Sequence, residues 1–209
     1  MTYLISTLIF AVVGTAQLNI FEIEGIFSNA HINALEGHIE EYEYTDDDLL
    51  ILQYSSQEGS AESIAELNSL LSGYDFPIGV WFGPYKISID FKQLNNFDYI
   101  GFSPGLEINN VSFDESVERK YCTINICNFE ERKIIVSTNE GIYDNYLIVG
   151  TLGSFIENID FAISDQSIEF FKPSLFERFY IAISNPIFTY MFFVLGFASS
   201  FLLRPYFFD

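Results

Sequence analysis

Cys122 and Cys127 are the only cysteines of this chain, and their spacing allows two outcomes. A tight turn at Ile124 and Asn125 would bring the sulfurs together as a disulfide. A strand through both would instead point them to opposite faces as two packed thiols. His31 and His38 share one face of any helix that carries both. Two imidazoles are too few ligands for a zinc site, so surface or packing roles are expected, and no metal. Asp46, Asp47 and Asp48 bring three carboxylates together. They lack the alternating spacing of a calcium loop and read as a solvated turn. A further candidate is a position more than a residue type. Residues 54–60 and 83–90 each follow an apolar strand, and open α/β sheets carry their sites where strands end.

The elements that position these loops follow from residues 48–84. Leu49 to Leu52 is a short apolar run of the buried-strand type, and residues 55–59 have turn chemistry. Ser60 is placed to cap a helix whose apolar face is Ile64, Leu67, Leu70 and Leu71, with Gly73 at its end. Residues 78–82 form a second apolar strand, closed by Gly83 and Pro84. Two such strands joined through a helix are a parallel βαβ unit. Residues 18–23 alternate as a strand, and Ser28 is placed to cap a helix carrying Ile32, Leu35, Ile39 and Tyr42. Short strands at 99–102 and 134–136 and a helix near 144–157 complete an α/β pattern.

Composition limits the partners. Of 209 residues, 29 are acidic and 9 basic, a net charge of −20, and no Lys or Arg precedes Lys86. Such a surface repels phosphate backbones, so nucleic acid is excluded as a partner. With 49 % hydrophobic and 18 % aromatic residues, the chain is not a disordered one. Residues 1–16 are apolar and end in small residues, as a signal peptide or N-terminal anchor does. Between Arg178 and Arg204 lie 25 residues without a formal charge, enough for a membrane span. The expected organisation is a signal or anchor at 1–16, an extracytoplasmic domain at 17–172, and a transmembrane segment with a short tail at 173–209.

The order of these segments resembles the NfeD-type membrane-bound serine proteases, whose outer domain belongs to the Clp-protease and crotonase superfamily. The resemblance rests on Gly59 in the first loop and on Gly83-Pro84 after the second strand. It continues in Ser103-Pro104-Gly105-Leu106-Glu107-Ile108, Asn139-Glu140-Gly141-Ile142-Tyr143-Asp144 and the stretch from Lys172 into the apolar run. It implies a ClpP/crotonase-like layered α/β domain built from βαβ units, followed by one transmembrane helix, in a divergent and truncated member. Gly59, Gly83 and Pro84 would be binding loops. Active members use a Ser nucleophile and a Lys base, and a Lys serves as base only when burial favours its neutral form. Ser88 is the only serine where the nucleophile would fall, and Lys133 lies where the base would. Ser88 is followed by Ile89 and Asp90, with no Ser-Ala-Gly and no second glycine to shape an oxyanion hole. Lys86 and Lys92 read as surface lysines.

The resemblance thus implies a catalytically inactive, membrane-anchored binding or scaffold module in membrane protein quality control or organisation. The alternative is an active Ser/Lys endopeptidase. A stomatin-like membrane protein and further copies of the chain are the implied partners. An acyl-CoA enzyme would need a basic cluster for its phosphates, and the acidic chain offers none; no cofactor is expected.

Overall fold

A computed structural model describes residues 17–59, 61–89, 91–143, 146–161 and 168–171, and beyond them residues 176, 179, 190, 191 and 193–195. The main sheet starts with β1 (Leu18–Phe27), α1 (Asn29–Tyr42), β2 (Leu49–Gly59), α2 (Ala61–Leu71) and β3 (Ile78–Phe82). A second sheet enters with β4 (Ile87–Ser88), a 3-10 turn at Phe91–Asn96, β5 (Tyr99–Phe102) of the main sheet, and β6 (Glu107–Asn109). Then come α3 (Glu115–Tyr121), β7 (Ile126–Asn128), β8 (Lys133–Ile135), β9 (Gly141–Tyr143), β10 (Tyr146–Ile148), α4 (Leu152–Asn158) and β11 (Ile168–Phe171). The seven-stranded sheet runs β11-β1-β2-β3-β5-β10-β9, parallel except for β9. The four-stranded sheet runs β4-β6-β8-β7.

Alternation along the central strands feeds two cores. Leu18, Ile20, Leu49, Ile51 and Trp81 point to one face, where Phe155 and Ile159 from α4 and its end cover them. Phe21, Ile23, Leu50, Leu52, Val80 and Phe82 point to the other, under α1, α2 and α3. Burial on both faces is why these strands read as continuous apolar runs. The thinner face depends on close approach: a Cβ on Gly101 would stand 2.5 Å from the Phe155 ring. Ser28 begins α1 in extended conformation, and its amide donates to Nδ1 of the buried His31 at 3.4 Å. His31 Nε2 lies 3.1 Å from the Glu24 carbonyl, a pattern that fits the neutral Nε2–H tautomer. Burial holds His31 below its ordinary value of 6.5.

Several expectations change. Residues 55–59 are not a turn: β2 continues to Gly59 beside a longer β1, with Phe27 opposite Gly59 and an irregularity after Gly25. Ladder hydrogen bonds outweigh the turn preference of single Ser and Gly residues there. The helix expected near 144–157 divides into β10, which enters the sheet against β5, and α4, capped by Thr151. The apolar run at 146–149 is a strand because both its faces are covered. Cys122 and Cys127 form a disulfide, with Cα atoms 5.6 Å apart, because Cys122 ends α3 while Cys127 lies in β7. No helix among the described residues is long and apolar enough to cross a membrane. Ser60, residues 1–16 and most of 179–203 lie outside the described residues.

Candidate functional site

The small sheet places the residues singled out by resemblance. Ile87, Ile108 and Ile134 form its buried row, so their neighbours Ser88, Glu107, Asn109 and Lys133 point outward. Ser88 is opposite Asn109 on β6, and continuing the β6–β8 ladder by one residue puts Lys133 opposite Asn109 on the far side. Ser88 and Lys133 therefore share a face two strands apart, roughly 10 Å between backbones.

Neither is poised toward the other. Ser88 Oγ accepts a hydrogen bond from Asn110 Nδ2 at 2.6 Å, and Asn110 has a left-handed backbone, φ 60°. Lys133 Nζ lies 3.4 Å from Glu107 and 3.6 Å from Glu131, while Lys86 Nζ approaches the other oxygen of Glu107 at 3.2 Å. Glu107 is thus clamped by two ammonium groups. Lys86 above all, with Lys133, holds its carboxyl below the usual 4.5. An ion pair is a bond of the ammonium form, whereas a general base needs the free amine. Among the described residues no hydrogen bond joins Ser88 to a lysine. Arg132, beside Lys133, donates to the carbonyls of Val111 and Asn110. The side chain of Lys92 lies outside what is described.

The loops that would supply an oxyanion hole are closed on themselves. Gly83 N donates to Tyr54 O at 2.9 Å and Tyr85 N to Gly83 O at 2.9 Å, so both amides are taken. A Cβ on Gly83 would meet Tyr54 O at 3.4 Å, and Pro84 follows at an exposed turn. Gly59 ends β2 opposite Phe27 and belongs to a ladder instead of a free loop. Ser103-Pro104-Gly105-Leu106 is a type II turn: Gly105 has φ 74° and Leu106 N donates to Ser103 O at 3.2 Å. That turn carries the chain from β5 to β6 and so aims Glu107 at the two lysines. Glu107 and Asn110 were not foreseen as partners. The outward alternation of residues 107 and 109 was readable, but only strand register shows which lysines they meet. His31 and His38 serve packing and local hydrogen bonds: His38 Nε2 lies 3.0 Å from Tyr44 OH.

No family model and no curated protein matches this chain. Among solved structures, it is similar to a variant of the 1510-N membrane-bound stomatin-specific protease in complex with a substrate peptide. The TM-score is 0.53 at 8 % identity, over 81 % of this chain and 99 % of that one. The likeness is one of fold. A second variant of the same protease superposes with a TM-score of 0.49 at 9 % identity, over 78 % of this chain and all of that one. At such identity the side-chain chemistry stands on this chain's own residues. The protease-like α/β frame is shared.

Proposed function

We propose that this chain is a membrane-anchored, NfeD-like protein whose ClpP/crotonase-like outer domain, residues 17–172, is a binding or scaffold module without peptidase activity. The carrying observation is the state of the two candidate catalytic groups. Ser88 Oγ accepts from Asn110, and Lys133 is paired with Glu107 and Glu131. The closed amides at Gly83 and Tyr85 point the same way, since a developing oxyanion needs unengaged donors. A disulfide at Cys122–Cys127 fits an oxidising, extracytoplasmic setting. Phe176, Phe179, Tyr190, Met191, Phe193, Val194 and Leu195, all helical and strongly exposed, support a lipid-facing segment within 173–209. The fold likeness to a stomatin-specific protease supports a stomatin-like membrane partner, and assembly with further copies belongs to the same reading.

The second reading is an active Ser/Lys endopeptidase. It is favoured by the shared face and row of Ser88 and Lys133, since a shift of the Lys133 side chain away from Glu107 would turn its amine toward the serine. Labelling of the full chain with a fluorophosphonate serine probe separates the two. Wild type and Ser88→Ala are expected to label alike, at background. Ser88-dependent labelling overturns the inactive reading.

A further inference from the structure

Among the described residues, the cations of this acidic chain fall into two groups. Lys86 and Lys133 are ion-paired, and Arg132 is hydrogen-bonded to backbone. Arg119 and Lys120, in the last turn of α3, make no ion pair among the described residues. They stand on the wall of an open groove of about 550 Å³, whose other lining includes Ile124, Ile142, Tyr143 and Tyr146. A second groove of about 440 Å³ shares Lys120, Ile142, Tyr143 and Tyr146 with it. The two together have the size of a ligand site.

The floor is preorganised. Tyr121, Tyr146 and Tyr143 stack in series, with ring centroids 5.1 and 5.4 Å apart. Asn125 Nδ2 donates to Tyr146 OH at 3.2 Å, and Asn125 Oδ1 accepts from Ser137 N at 2.9 Å. These bonds fix the turn closed by Cys122 and Cys127, from which Ile124 projects. Lys120 Nζ lies 5.2 Å from the Tyr121 ring, and burial holds its amine below the ordinary 10.5. Burial also pushes Tyr146 up to about 12, so this phenol stays neutral beside an incoming anion. A half-buried ammonium without a carboxylate partner regains lost solvation when an anion arrives.

The ligand class follows from what flanks the cations. β9 is the last strand of the main sheet, and among the described residues nothing pairs with its outer side. Ile142 on that strand is 68 % exposed. An edge strand offers backbone donors and acceptors to an extended chain, and the tyrosine and isoleucine surface takes apolar side chains. The cations at one end then meet a carboxylate. We propose that the groove between α3, the disulfide turn and β9 binds the C-terminal end of an extended apolar peptide, its carboxylate on Lys120 and Arg119. This deepens the binding-module reading by naming a ligand class, at a site that does not involve Ser88.

The test is a fluorescence-anisotropy titration of the full chain in detergent with a dye-labelled peptide of alternating alanine and valine ending in a free carboxylate. Saturable binding is expected, weakened roughly tenfold by amidating the peptide and by Lys120→Met or Arg119→Gln. Ile142→Ser weakens it through the apolar edge without adding a charge beside the cations. Equal binding of acid and amide on the wild-type protein overturns the proposal and needs no variant to fold. Binding of decanoate without binding of the peptide overturns the peptide assignment in favour of a fatty carboxylate. Loss of peptide binding and appearance of Ser88-dependent labelling are separate outcomes, so the two readings fail independently.

Discussion

In the seven-stranded sheet the central strands are covered on both faces, while the four-stranded sheet hides only its isoleucine row and turns Ser88, Glu107 and Lys133 outward. The first is held by side-chain packing, and a missing contact there has no solvent to replace it. The second rests on a narrow apolar row plus ion pairs at 3.2 to 3.6 Å, which water and salt can substitute. Residues can be exchanged on the outward face of the small sheet at little cost to folding.

The largest effect should come from the thin face of the main sheet. Phe155→Ala removes the ring packed on Gly101 and is expected to cost about 3–5 kcal/mol in urea unfolding. A cost below about 1 kcal/mol would mean that this face is covered by something other than α4. Next is the link between the layers: replacing Cys122 and Cys127 by serine should cost about 2 kcal/mol, because the short closed loop restrains the unfolded chain. An equal stability of oxidised and reduced protein would contradict it.

The two regions should also separate along the pH axis. His31 is lowered by burial, so the unfolded chain binds its proton first, and stability falls as pH drops below about 6.5. Glu107 is lowered by Lys86 and Lys133, so its contribution is present above 4.5 and is lost as pH falls through the lower folded value. Glu107→Gln should flatten only the more acidic limb of a stability–pH curve, by under about 1 kcal/mol. A change near neutral pH instead would show that the ion pairs couple to the α1 cap. The smallest effect is expected at Ser88: Ser88→Ala should leave stability within about 0.5 kcal/mol and probe labelling unchanged.

Much of the frame was legible because periodicity speaks directly to burial. Residues 78–82 and 99–102 are strands with the bounds their apolar pattern predicted, and Ser28 starts the first helix where its type placed it. The errors fell where local preference and tertiary pairing disagree. Ser55, Ser56 and Gly59 have turn chemistry but continue β2, because β1 runs beside them. Tyr146 to Ile148 lay inside a helix-like window but form a strand between β5 and β9. At the candidate site, Ser88 and Lys133 were nameable from resemblance, yet Glu107 and Asn110 were not, since their partners lie 21 to 26 positions away in sequence. Arg119 and Lys120 carry no motif in the sequence, and only the fold brings them to one groove with Ile142 and Tyr143.

The sequence by itself determined the acidic character, the βαβ frame and which residues are apolar enough to be buried, since these depend on composition and on periods of two and 3.6 residues. It left Cys122 and Cys127 open between two states. Only the tertiary structure decided that pairing, the clamp on Glu107, the engaged state of Ser88 and the place of the α3 cations beside β9. Each of these is a distance between elements, set by strand register and helix docking, and no local property of the chain encodes it.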